Sequence, residues 1–181
     1  MGIDESRPFI PVRIAVMTVS DSRTLADDKS GQVLVDRLAE AGHVLADRAI
    51  VADEAAAIRA RLETWIGAGD VDVVIATGGT GVTGRDVTPE AFGAVYEKEI
   101  PGFGELFRTL SFDKIGTSTI QSRCTAGVAH GTYLFALPGS PGACRDGWDL
   151  ILKSQLDYRY RPCNFVELMD RLEEHRQTGS A

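Results

Sequence analysis

Three short, nearly unbroken apolar runs govern what this chain can fold into: VRIAVMTV at residues 12–19, VDVVIAT at 71–77 and TYLFAL at 132–137. Each is too short for a buried helix, rich in β-branched or aromatic residues, and followed by Ser, Gly or Pro. That combination predicts strands covered on both faces. The segments between them carry helical spacing. Val33, Leu34, Leu38 and Ala41 share a face within residues 30–42, with Gly42 as a stop. Ile58, Leu62, Trp65 and Ile66 repeat at i, i+4, i+7 and i+8 before Gly67-Ala68-Gly69-Asp70 ends the pattern. A weaker strand fits residues 43–51, HVLADRAIV. Strands alternating with helices predict a three-layer α/β/α sandwich with a mostly parallel central sheet.

Further along, Thr88 reads as a helix cap with Pro89 in the first turn. A second helix follows through Phe103, Leu106, Phe107 and Leu110, and another helical stretch runs from near Ser118 towards Gly131. Cys144, Trp148, Ile151, Leu152 and Leu156 describe a long helix, and Phe165, Leu168, Met169 and Leu172 a last short one. At 181 residues the chain fits one domain. Its expected extent is 12–176, with a flexible N-terminal lead at 1–11 and a flexible C-terminus at 177–181.

The formal net charge of −7 argues against nucleic acid or an anionic membrane as partner, so any anion must be held by local groups. No segment approaches the ~20 consecutive apolar residues of a membrane span. The first residues carry acids and lack an apolar core, unlike a secretory signal, and a cytoplasmic location is expected. Cys124, Cys144 and Cys163 form no CxxC pair and have no His nearby. They read as buried free thiols rather than zinc ligands or a disulfide framework. Surface or turn positions account for His43, His130 and His175.

In such sheets ligands bind at the carboxyl ends of the strands. Three loops leave strong strands there: Ser20-Asp21-Ser22-Arg23, the run VIATGGTGVTGRDVTPE from Val74, and Pro138-Gly139-Ser140-Pro141-Gly142. Gly79 to Gly84 matches GxGxxG, but Arg85-Asp86-Val87 separate the glycines from the helix start, which disfavours a dinucleotide fingerprint. No Gly-Lys-Ser/Thr follows, which disfavours a P-loop. Gly78, Gly79, Gly81 and Gly84 instead suit a nest of backbone N–H groups for anions, with Thr77, Thr80 and Thr83 as further donors. Asp86 beside such a nest either meets a cation shared with phosphate, as Mg²⁺ commonly does, or pairs with Arg85 or nearby backbone. Spacing alone makes Asp53 an N-cap for the Ile58 helix. Arg123 by itself reads as a surface or interface ion pair.

Taken together, Thr77-Gly78-Gly79-Thr80-Gly81-x-Thr83-x-Arg85-Asp86-x-Thr88-Pro89-Glu90 resembles the molybdopterin-binding signature of the MoaB/MogA family of molybdenum cofactor biosynthesis proteins. Val19-Ser20-Asp21-Ser22-Arg23, Gly102-Phe103-Gly104-Glu105, Gly116 to Arg123 and Leu137-Pro138-Gly139-Ser140 have counterparts there too. Arg161-Pro162-Cys163-Asn164-Phe165 resembles the MoaB branch. The resemblance implies a molybdopterin adenylyltransferase using Mg-ATP, with molybdopterin's own phosphate as nucleophile and pyrophosphate as product. It makes Asp53 and Asp86 the catalytic acids, with Asp86 on Mg²⁺. It assigns molybdopterin or ATP binding to Ser20, Asp21, Thr77, Gly78, Gly79, Thr80, Gly81, Thr83, Ser122, Arg123, Pro138, Gly139 and Ser140. It also implies a homo-oligomer, trimer or hexamer, and a molybdenum-insertase partner. The alternative is a non-catalytic molybdopterin carrier or assembly protein.

Overall fold

The computed structural model describes residues 2–177; the expected C-terminal tail lies, beyond Gln177, outside the described residues. The strands are β1 (Gly2–Ile3), β2 (Arg13–Val19), β3 (Val44–Val51), β4 (Val73–Thr77), β5 (Lys98–Glu99), β6 (Thr125–Ala129), β7 (Thr132–Leu137) and β8 (Tyr160–Arg161). The helices that build the layers are α1 (Lys29–Glu40), α2 (Ala55–Ala68), α3 (Thr88–Gly93), α4 (Pro101–Ile115) and α5 (Pro141–Gly147). The last of these continues through a π-helical turn (Trp148–Leu152) and a final α turn (Lys153–Gln155).

Six strands form the main sheet in the order β3-β2-β4-β7-β6-β5. β2, β3, β4 and β7 are parallel, while β6 runs antiparallel to β7 and to β5. The sheet is therefore mostly parallel and covered by helices on both faces, as the apolar runs predict. Alternation along β2 divides the core. Ile14 and Val16 join Leu34, Leu38, Phe103, Phe107 and Trp148 on one face. Ala15, Met17 and Val19 join Ile58, Leu62, Trp65 and Phe92 on the other. α1, α4 and α5 thus form one outer layer, α2 and α3 the second. The weak pattern of residues 43–51 has its reason in position: β3 is an edge strand, paired on one side only and largely exposed.

Several expectations are corrected. The helical stretch from Ser118 is a short 3₁₀ segment (Gly116–Gln121), and residues 125–129 are strand β6. Small residues hide this strand from a propensity reading, since Ala and Gly are poor strand formers. The final helix is a 3₁₀ run (Val166–Arg171) followed by one α turn (Glu174–Gln177). His43 is buried, 7% exposed, accepting the Val12 N–H on Nδ1 at 3.2 Å and packing against Phe9 and Trp148. Burial lowers its pKa. Cys124 and Cys144 are buried, but Cys163, following Pro162 at the surface, is exposed. The N-terminal lead lies along the domain: β1 pairs with β8, and Arg7 stacks on Tyr158 while bonding Glu167.

Candidate active site

The carboxyl ends of β2, β4 and β7 lie side by side, and close backbone approach fuses their loops. Gly78 sits at φ +107°, where a Cβ would lie 2.3 Å from the Val19 carbonyl oxygen. Its N–H donates to the Leu137 carbonyl at 3.1 Å, and its carbonyl accepts the Thr88 hydroxyl at 2.9 Å. Gly139 packs so tightly that a Cβ there would come within 3.2 Å of the Gly78 Cα. Thr77 is buried, and its hydroxyl donates to the Pro138 carbonyl at 2.9 Å, so this side chain ties two loops together rather than facing a ligand. Thr88 is the first residue of α3 rather than its cap, because its hydroxyl reaches back to the glycine loop.

Beside these loops opens a cavity of about 730 Å³. Gly79, Thr80, Gly81 and Asp86 form one wall, Pro138, Gly139 and Ser140 the floor, and Ser122 an edge. Its volume lies within the range of small-molecule sites. Ser140 caps α5, accepting the Ala143 N–H at 3.1 Å.

Asp86 is anchored within its own loop. Its Oδ2 accepts the Thr83 hydroxyl at 2.6 Å and the Thr83 N–H at 2.8 Å. The Thr83 hydroxyl bond lowers its pKa most, with backbone bonds and Arg123 helping, so the group is ionised at neutral pH. Arg123 does not line the cavity. Its Nε and one terminal nitrogen each donate at 2.6 Å, to the carbonyls of Gly81 and Asp86, and the other pairs with Glu90. Its own N–H bonds the Thr80 carbonyl at 2.9 Å. This side chain is a staple that fixes the glycine loop from behind.

Ser20, Asp21 and Asp53 stand on the other side of Gly79. Asp21 and Asp53 exchange bonds, each carboxylate accepting the other's N–H, at 3.1 and 3.0 Å. The Ser20 hydroxyl accepts the N–H groups of Ser22 and Arg23, both at 3.3 Å. Asp53 therefore does not cap α2, whose first turn receives no side-chain cap. Burial raises its pKa, and the neighbouring Asp21 carboxylate adds to the rise, against the pull of Arg85. Arg85 itself is paired with Asp21.

The raised Asp53 pKa has a consequence for stability. Its ionised form is disfavoured in the fold, so the cost is present above the folded pKa and vanishes below the unfolded value near 3.8. Asp53→Asn keeps the acceptor for the Asp21 N–H while removing that charge. Its melting temperature is expected to rise by about 1–3 °C at neutral pH. Thermal melts as a function of pH should show the gain shrinking towards zero as acid protonates Asp53. A gain that persists in acid would sever it from ionisation.

Sequence reasoning missed the cavity's opposite wall: Phe107, Ser111 and Lys114 on α4, and Arg145 and Asp146 on α5. Helical spacing was the available signal, since Phe107, Ser111 and Lys114 continue the inward stripe begun by Phe103. Among the described residues no group of three or more His, Cys, Asp or Glu is arranged to hold a metal. A divalent ion here fits a mode in which Asp86 shares it with ligand oxygens and water.

Comparison with known proteins gives this geometry a family. Residues 15–158 match the family described as "Probable molybdopterin binding domain". Molybdenum cofactor biosynthesis protein B of Escherichia coli K12 is 54% identical over 160 residues, covering 88% of this chain and 94% of that protein. The protein of that name from Bacillus subtilis is 42% identical over 164 residues, covering 89% and 96%. A crystal structure of molybdenum cofactor biosynthesis protein B superposes with a TM-score of 0.83 at 39% identity, covering 94% of this chain and all of that one. The tungsten cofactor synthesizing protein MoaB from Pyrococcus furiosus gives 0.71 at 34% identity, covering 80% and 92%. The glycine loop, its anchored aspartate and the cavity they line are thus carried by a chain that belongs to the MoaB-type molybdopterin-binding family.

Proposed function

We propose that this protein acts in molybdenum cofactor biosynthesis and adenylylates molybdopterin at this cavity. A terminal phosphate oxygen of molybdopterin attacks the α-phosphorus of ATP, forming a new P–O–P bond as the bond to the β-phosphate oxygen breaks. Pyrophosphate leaves with that bond's electron pair. The observation that carries the reading is a carboxylate, Asp86, anchored beside the glycine loop in a cavity whose described lining includes no Cys or His. Such a reaction needs no protein nucleophile, only positioning and charge neutralisation of two polyanions.

Gly79, Thr80 and Gly81 present the loop to phosphate, and Ser122 and Ser140 supply hydroxyls. Arg123 keeps the loop's carbonyls turned away from the anion. Mg²⁺, bound through Asp86 and phosphate oxygens, would neutralise charge on the transferred group. Asp53 and Asp21 brace the second side of Gly79.

One observation favours a second reading, a pterin-phosphate carrier without turnover: Thr83 already occupies Asp86 Oδ2. Pyrophosphate release from Mg-ATP, with and without purified molybdopterin, decides between them. Molybdopterin-dependent release is the expected result. Calorimetry should also give Mg²⁺-dependent ATP affinity. Tight molybdopterin binding with neither release nor ATP binding would leave the carrier.

A further inference from the structure

Among the described residues, the glycine-loop side of the cavity has no free cation. Arg85 is held by Asp21, and Arg123 by the carbonyls of Gly81 and Asp86 and by Glu90. Among the described residues, the only cationic side chains lining the cavity are Lys114 and Arg145, both on the wall formed by α4 and α5. In a protein of net charge −7, these are the positive side chains among the described residues of the cavity that a polyanion entering here would meet.

The two cations differ in state. Lys114, in the last turn of α4, pairs with Asp146, the residue after Arg145 on α5, and Asp146 also lines the cavity. The side chains are 55% and 24% exposed, so water screens the pair. The exposed Arg145 guanidinium has no hydrogen-bond or ion-pair partner among the described residues. One wall of the cavity therefore carries a free fork of donors beside an ammonium neutralised by an internal carboxylate.

We propose that this wall is a phosphate subsite with a built-in counter-ion: Arg145 and Lys114 bind the oxygens of a polyphosphate, and Asp146 holds Lys114 until that ligand displaces it. The inference rests on the reading of the cavity as a polyphosphate site. An exposed ion pair is weak enough to exchange, and a multiply charged phosphate offers Lys114 stronger charge-assisted bonds than one carboxylate does. Asp146 halves the positive charge of the unliganded wall and lowers affinity for monovalent anions. Discrimination between a diphosphate and simple salts follows from the exchange, since only a ligand of higher charge outcompetes Asp146.

The prediction is a pair of effects opposite in sign. Titration calorimetry of inorganic pyrophosphate and of Mg-ATP into the full chain is expected to show about tenfold weaker binding for Lys114→Gln and Arg145→Gln. Asp146→Asn is expected to bind about two- to fivefold tighter, because Lys114 no longer needs to be released. In the Lys114→Gln background, Asp146→Asn should lose most of that gain. All three positions line the cavity, and thermal melts of the four variants within about 2 °C of wild type would confirm intact folds.

Wild-type binding retained by both Gln variants, or an Asp146→Asn gain undiminished without Lys114, overturns the subsite alone. A wild-type protein that binds neither probe overturns both the subsite and the proposed function. The expected pattern without molybdopterin-dependent pyrophosphate release overturns adenylyl transfer and leaves the subsite standing.

Discussion

Gly78→Ala is expected to lower the melting temperature by about 5–15 °C, from a loss of ~2–4 kcal/mol. The reason is not the φ of +107° alone, although an L side chain rarely adopts it. A methyl group at this position would lie 2.3 Å from the Val19 carbonyl oxygen, a backbone atom at the end of β2 that cannot rotate away. Backing off would also strain the bonds that Gly78 makes with Leu137 and Thr88, which hold the three ligand-facing loops together. Gly84→Ala in the same loop is the control. A Cβ there meets nothing within 4 Å, and the backbone is not in the left-handed region. Its melting temperature should stay within about 2 °C of wild type. Equal shifts for the two variants would show that Gly78 contributes only generic turn freedom.

That contrast also explains what the sequence can and cannot disclose. The three apolar runs reveal β2, β4 and β7 because each is buried on both faces, so burial is written into composition without regard to partners. The same is true of Ile58, Leu62 and Trp65, whose spacing can only be a helix face. β6 leaves no such mark: TAGVA packs with small side chains, and Gly127 is required because a Cβ would lie 2.4 Å from a ring carbon of Tyr96. Its one local signal is the two-residue turn His130-Gly131, both at positive φ, between two apolar stretches. The glycine loop is legible as a nest because glycine content reports backbone shape directly.

Side-chain destinations in the site are less legible, since they depend on which atoms tertiary contact brings near. Asp53 has the spacing of a cap, yet the parallel pairing of β2 with β3 delivers it to the Asp21 N–H. Arg123 has the chemistry of a phosphate ligand, yet the loop's carbonyls claim it first. Lys114 and Asp146 are 32 residues apart and carry no signal in sequence until α4 and α5 meet on one wall of the cavity.

Asp86→Asn is expected to reduce molybdopterin-dependent pyrophosphate release by about 10²–10³-fold while moving the melting temperature by no more than about 2 °C. The fold should hold because an Asn oxygen still accepts the Thr83 N–H, and Arg123 binds the backbone carbonyl of residue 86, which the substitution leaves in place. Only the charge is lost. The Thr83 bonds keep that charge below the ordinary carboxylate range, so wild-type activity should not fall through protonation of Asp86 until well into acid. Gly81→Ala tests position separately from charge. A Cβ there would lie 2.7 Å from Asp86 Oδ2, forcing the carboxylate aside without removing it. If adenylyl transfer depends on where that charge sits, both variants lose turnover. Full activity in Asp86→Asn together with a dead Gly81→Ala would mean that loop shape, not the carboxylate, carries the chemistry. Full activity in both would remove this end of the loop from the reaction.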